Sequence, residues 1–290
     1  MCVKITKIFL KGDRLSVNIL ESLIYGLISG LTEFMPISSQ GHQALLKQIF
    51  GVTSPDPIRD IMVHIAILAA VFVTTATYLD RIRRERKIRS RRKRNTQADR
   101  NVAQELQLIR TAAIPMLIGI VISAFTVNWG KNLGWLAIFF ILNGVILYIP
   151  EHLAHGNKSA GLLGPLDSLL IGLGGALSFI PGISRVGGSL SCAIARGADQ
   201  EKAYNWILVL SIPALVLILI LDVIGIFFTG FGTITFITVV GWFLSSITAF
   251  GSAIAGIYLM RIITAKSSIT ALSYYCWGVA SLSFLLFLFV

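Results

Sequence analysis

One short pattern occurs twice in this chain, each time inside apolar sequence, and it limits what the chain can fold into. Phe34-Met35-Pro36-Ile37-Ser38-Ser39 is matched by Phe179-Ile180-Pro181-Gly182-Ile183-Ser184, with Phe, Pro and Ser each offset by 145 positions in a chain of 290. Proline disfavours helix at the residue before it, so each copy breaks a helix. Broken backbone at membrane depth survives only where protein or a wet cavity surrounds it. Glu33 stands just before the first break and Arg185 just after the second. An acid and a base beside matched breaks mark a polar site at mid-depth of a membrane.

Composition supports the membrane setting. Hydrophobic residues make up 55% of the chain and charged residues 13%, with a mean hydropathy of +0.78. Soluble domains carry ~25% charged residues. Apolar runs lie at 61–79, 112–129, 133–150, 203–229, 234–260 and 271–290, and most reach the ~20 residues that cross a bilayer. The expected fold is an all-α integral membrane protein, an inverted repeat with about six transmembrane helices and two re-entrant helical hairpins. Residues 1–290 read as a single membrane domain. Its first half is 16–150, with a basic loop at 80–108, and its second half is 164–290. Each half holds a hairpin, entered through 18–35 or 166–180, and then three spans. Three is odd, so the second half enters from the opposite side. Ser39 and Ser184 stand where helix N-caps are wanted.

Charge sets the orientation. Residues 81–100 hold eleven Lys and Arg against Glu85 and Asp99, and so supply nine of the eleven net positive charges. Such a segment faces the cytoplasm. Arg261 and Lys266 then fall inside as well, whereas Lys4, Lys7, Lys11 and Arg14 fall outside and disagree mildly. The first hairpin, and with it the active site, opens to the outer side of the cell membrane. Contact between the basic segment and anionic membrane lipids fits this reading. Nucleic acid is not an expected partner, because no aromatic interleaving or recognition motif accompanies the charge. Cys2, Cys192 and Cys276 match no metal or redox spacing and read as packing residues. No small-residue cleavage site follows the basic N-terminus, so a removable signal peptide is not expected.

The residues around the breaks suit phosphate chemistry. Arg185 opens a short helix after Gly182-Ile183-Ser184, where free backbone N–H groups and the helix dipole favour an anion. Its guanidinium adds a bidentate fork, and Gly182 lets backbone approach a ligand closely. Ser38, Ser39, Ser184 and Ser189 can donate to phosphate oxygens, with capping as the competing role for Ser39 and Ser184. Glu33 is a buried acid, and His42 shares its hairpin. An anion clamp, an imidazole, a carboxylate and hydroxyl nucleophiles suit phosphoryl transfer. In a membrane cavity the substrate is a lipid phosphate or diphosphate.

Gly30-Leu31-Thr32-Glu33-Phe34-Met35-Pro36-Ile37-Ser38-Ser39-Gln40-Gly41-His42 and Pro181-Gly182-Ile183-Ser184-Arg185 resemble the two signature motifs of the undecaprenyl-diphosphate phosphatase, or bacitracin-resistance, family. The basic segment, Ser211-Ile212-Pro213 and the order of spans are similar too, so the resemblance covers nearly the whole chain. It implies removal of the terminal phosphate from undecaprenyl diphosphate, a polyprenyl carrier lipid of peptidoglycan and cell-wall synthesis, and hence bacitracin resistance. It implies Glu33, Ser39, His42 and Arg185 as catalytic residues, with Ser39 or His42 as nucleophile. Ser38, Gln40, Gly182, Ser184 and Ser189 would bind substrate, and Glu33 would help hold Mg²⁺ or Ca²⁺. The chain departs from the family pattern at Ser29, where a second acid is usual, and at Gln40, Val186 and Ser189, where the family has Thr, Ser and Thr. An acid at 29 would share a helix face with Glu33. Glu21 cannot take its place, because twelve residues back is about a third of a turn off that face.

Two other functions compete. A lipid-phosphate transporter or flippase with weak or no hydrolase activity would use the same architecture, and Ser29 favours it. A generic solute transporter would need further intramembrane polar groups, for which Asp222 and His64 are the candidates. Glu151, His152 and His155 lie together at a span end and read as a solvated loop rather than a metal cluster. The pattern is compatible with a homo-oligomer.

Overall fold

The computed structural model describes residues 14–52, 56–92, 97–153, 156–231, 234–266 and 268–289. Lys4, Lys7, Lys11, Cys2 and His155 lie outside them. Among the described residues there are ten α-helices and no strand. They are α1 (Arg14–Glu33), α2 (Ser39–Ile49), α3 (Pro57–Arg92), α4 (Gln97–Thr126) and α5 (Leu133–Glu151), followed by α6 (Pro165–Ala176), α7 (Arg185–Ala195), α8 (Gln200–Thr229), α9 (Phe236–Ala265) and α10 (Thr270–Phe289). Single 3₁₀ turns at Val127–Lys131, Ala160–Leu162 and Leu177–Phe179 join some of them.

Six helices are long and apolar enough to span a bilayer, within 57–85, 101–131, 133–151, 200–229, 236–265 and 270–289. Between 22% and 50% of the residues in these spans are buried inside the protein. The outward faces carry Phe72, Ile118, Phe227, Phe228, Phe284 and Phe289, which only lipid can cover. The chain is a multi-pass, all-α membrane protein.

The segment 80–108, expected as a loop, is helical through Arg92 and again from Gln97. It contains no Gly or Pro, and Arg, Lys, Glu, Gln and Leu are good helix formers. Helices α3 and α4, which carry the first two spans, therefore run on past the apolar stretch.

Helix pairing follows a pattern. α1 lies along α9, and α6 lies along α4. α3 packs on α9, and α8 on α4; α5 pairs with α10, and α3 with α8. On α1, a Cβ at Gly30 would stand 2.2 Å from the Ala249 carbonyl oxygen. The two backbones approach as only small residues allow. The core, with Phe34, Ile67, Met116, Leu190, Tyr204 and Leu208 almost fully buried, lies around the two breaks.

Candidate active site

Each break is held by side chains from other helices. α1 stops at Glu33, and the chain turns through Phe34–Ser38 before α2 begins at Ser39. Ser38 has φ 69° and ψ 94°, a sparsely populated conformation for a residue with a Cβ. Ser38, not Ser39, caps α2: its Oγ accepts from the Gly41 N–H at 3.2 Å. Ser39 is one residue inside because the turn after Pro36 is one residue shorter than the spacing suggests. In the second break Gly182 takes φ 107°, and Ser184 caps α7 by accepting from the Gly187 N–H at 3.1 Å, as expected.

Backbone groups freed by the breaks find specific partners. Tyr204 donates to the Phe34 carbonyl at 3.2 Å, and Ser184 Oγ to that of Met35 at 3.3 Å. Thr126 donates to the carbonyl of Phe179. Asn143 on α5 serves both breaks. Its Nδ2 donates to the Pro36 carbonyl at 2.9 Å, and its Oδ1 accepts from the Ser184 N–H at 2.8 Å. The two turns touch directly, since a Cβ on Gly41 would lie 3.0 Å from Gly182 Cα.

Across this junction Arg185 Nη2 donates to Glu33 Oε1 at 2.8 Å, with both side chains about nine-tenths buried. The sequence separates them by 152 residues. Arg185 Nε and Ser189 Oγ are buried with no partner among the described residues. They lie one turn apart on α7, on one face. Buried donors left unpaired cost free energy unless a ligand meets them, and a phosphate oxygen is the acceptor that fits a guanidinium edge beside a hydroxyl.

The hydroxyl side of the site is built on α1 and α2. Ser39 Oγ donates to the Ser29 carbonyl at 3.4 Å. Gln43 Nε2 donates to Ser29 Oγ at 3.1 Å and to Ser39 Oγ at 3.3 Å. Gln40 is exposed at the start of α2. The structure pairs Glu33 with Arg185 rather than with His42. The His42 ring hydrogen-bonds through Nδ1 to the Ser38 carbonyl at 2.8 Å and through Nε2 to the Tyr275 hydroxyl at 2.9 Å. It stacks on Tyr275 and meets Phe140 edge-on. Both ring nitrogens are therefore engaged.

The expected Mg²⁺ or Ca²⁺ meets a sparse donor set. Glu33 is the carboxylate of the site, and one of its oxygens is taken by Arg185. Position 29 offers a hydroxyl already tied to Gln43. Glu21 is committed to Arg59, accepting from its Nη1 at 2.9 Å. No three His, Cys, Asp or Glu converge among the described residues. These residues do not fit a divalent cation held by the protein alone, which takes several oxygen ligands.

Other polar candidates have structural partners. His64 Nδ1 and Asp222 Oδ2 pair at 2.6 Å between α3 and α8. Glu151 accepts from Gln200 at 2.6 Å, and His152 bonds back to the Tyr148 carbonyl at 2.9 Å. Sequence reasoning passed over Asn143, Gln43 and Tyr275. Asn143 carried a readable signal, a lone amide inside an apolar span. Gln43 and Tyr275 carried none, because their partners come from folding.

The family model for the bacitracin resistance protein BacA matches residues 22–282. The undecaprenyl-diphosphatase of Carboxydothermus hydrogenoformans is 30% identical over 267 residues, covering 90% of this chain and 94% of that protein. That of Treponema denticola is 32% identical over 212 residues, covering 71% and 76%. That of Halothermothrix orenii is 26% identical over 263 residues, covering 90% and 95%. The chain belongs to the bacitracin resistance protein BacA family.

Proposed function

We propose that this protein hydrolyses undecaprenyl diphosphate to undecaprenyl phosphate and inorganic phosphate. The observation that carries the reading is the Glu33–Arg185 pair at the meeting point of two breaks, beside unpartnered Arg185 Nε and Ser189 Oγ. In the resting site the guanidinium is neutralised by Glu33. An incoming diphosphate competes for Arg185 with two or three anionic oxygens in a bidentate arrangement. Exchange of partners moves the guanidinium onto phosphate and leaves the Glu33 carboxylate free as a base. Ser39 is the better nucleophile here, since its contacts are long and both nitrogens of His42 are occupied. Ser39 Oγ attacks the terminal phosphorus, its proton passes to Glu33, and the bond to the bridging oxygen breaks. Undecaprenyl phosphate leaves, and water then hydrolyses the phosphoserine, returning Ser39 and releasing inorganic phosphate. Ser38, Ser184, Gln40 and the N-termini of α2 and α7 line the phosphate path, with Gly182 allowing close backbone approach. His42, clamped by Ser38 and Tyr275, positions α2. No step is routed through a divalent cation.

The helix pairing supports the inverted-repeat reading. α1 on α9 corresponds to α6 on α4, and α3 on α9 to α8 on α4, while α5–α10 and α3–α8 pair across the exchange of halves. The two broken segments then act as re-entrant hairpins entered from opposite faces. The basic segment supports a cytoplasmic position for 80–108 and a site open to the outer side of the cell membrane.

Phosphate release from undecaprenyl diphosphate by the purified protein tests the function. Arg185→Ala should lower kcat/KM by about a hundredfold or more, the scale of losing one charge-stabilising donor. Equal, negligible release by both proteins would overturn the enzyme reading. Translocation of lipid phosphate across vesicles without hydrolysis would put a flippase in its place.

A further inference from the structure

A groove of about 480 Å³ opens between α3 and α9, lined by none of the site residues. Its walls carry Arg81 and Tyr78 on α3, and Arg261 and Tyr258 on α9, with Val73 and Ile254 at its apolar end. Each guanidinium lies over the tyrosine of its own helix, 4.7 Å from the Tyr78 ring centre and 5.7 Å from that of Tyr258. Each has one nitrogen committed: Arg81 Nη2 to Glu105 at 2.9 Å, and Arg261 Nη2 to the Thr74 carbonyl at 3.0 Å. Glu105 also accepts from Tyr78 at 2.7 Å, so it has little left for a cationic ligand.

Depth gives the groove its meaning. Arg81 and Arg261 stand just beyond the apolar runs 61–79 and 234–260 and line the same groove. That places both at one membrane boundary, at headgroup level. Val73 and Ile254 lie a further 10–12 Å deeper, at ~1.5 Å per residue. Exposed Arg83, Arg84 and Lys87 continue α3 beyond the boundary. The groove is thus cationic at headgroup level, aromatic just below, and apolar at chain level.

We propose that this groove is a binding site for an anionic phospholipid. The lipid phosphate sits between Arg81 and Arg261, and an acyl chain runs past Val73 and Ile254. A net negative lipid is favoured over a zwitterionic one by the surplus of arginines. On the orientation proposed above, the lipid comes from the cytoplasmic leaflet, away from the diphosphate site.

Native mass spectrometry of the purified protein with equal phosphatidylglycerol and phosphatidylcholine tests the site. The wild type should retain one phosphatidylglycerol with about tenfold preference. The double variant Arg81→Gln/Arg261→Gln should bring the two lipids to parity while phosphate release continues. Val73→Trp, which keeps both arginines, should lower retention by filling the chain end of the groove. Equal retention of the two lipids by the wild type, or unchanged preference in the double variant and unchanged retention in Val73→Trp, overturns the proposal. So does displacement of the lipid by millimolar inorganic phosphate, which would mark a free-anion site instead.

Discussion

At the scale of single residues, Asn143 concentrates the most structural consequence. It joins two breaks that the sequence places 145 positions apart, and its truncation leaves the Pro36 carbonyl and the Ser184 N–H without partners. Two buried groups unpaired cost about 2–6 kcal/mol together. Asn143→Ala should therefore lower the thermal midpoint clearly and reduce phosphate release, because Glu33 and Arg185 flank the same two turns. A midpoint equal to wild type would show that the breaks are held elsewhere. Ser29 is a second decisive residue. With Glu33 one turn later on α1, an acid at 29 would give two carboxylates on one face. Ser29→Glu combined with Gln43→Ala, which clears the amide now bonded to Ser29, should tighten Mg²⁺ or Ca²⁺ binding, read by calorimetry, by about tenfold over the wild type. Equal binding by the two proteins would sink the argument that Ser29 leaves the site short of a cation ligand.

At the scale of elements, the contact of α1 with α9 positions Glu33, the proposed base. Gly30 is three residues before Glu33, and its Cα faces the Ala249 carbonyl. Gly30→Ala forces the helices apart or bends α1, at a cost of about 1–3 kcal/mol. The expected result is a lower midpoint together with a fall in kcat, as Glu33 moves relative to Arg185; wild-type kcat in the variant would show the pair to be tolerant of that shift. The six spans were legible from apolar runs, because a bilayer demands length and composition together. The breaks were legible from Pro36 and Pro181, since proline acts locally. The helical extension of α3 to Arg92 was not, because charge suggested a loop although the residues themselves favour helix. The cap at Ser38 was missed for a related reason: the turn before it is held at Phe34, Met35 and Pro36 by Tyr204, Ser184 and Asn143 from other helices, not by its neighbours. Tyr275 on His42, and Gln43 between Ser29 and Ser39, are likewise products of packing.

At the scale of the whole molecule, the proposed orientation puts the junction of the two breaks and the basic helix ends toward opposite faces. Gln40 is exposed at the mouth of the first break, and Arg83 is exposed on the extension of α3. If the site opens outward, a thiol at 40 meets a membrane-impermeant maleimide in intact cells, whereas a thiol at 83 does so only after the membrane is opened. The natural Cys2, Cys192 and Cys276 are first replaced by alanine, so that Gln40→Cys and Arg83→Cys each carry one thiol. Labelling of position 40 should also fall when undecaprenyl diphosphate is present, because the diphosphate path passes the start of α2. Protection at 40 with none at 83 would tie sidedness and substrate entry to the same pocket. Labelling of 83 from outside, with 40 silent until the membrane is opened, would reverse the orientation, and the basic helix ends would then oppose the charge bias that normally sets topology.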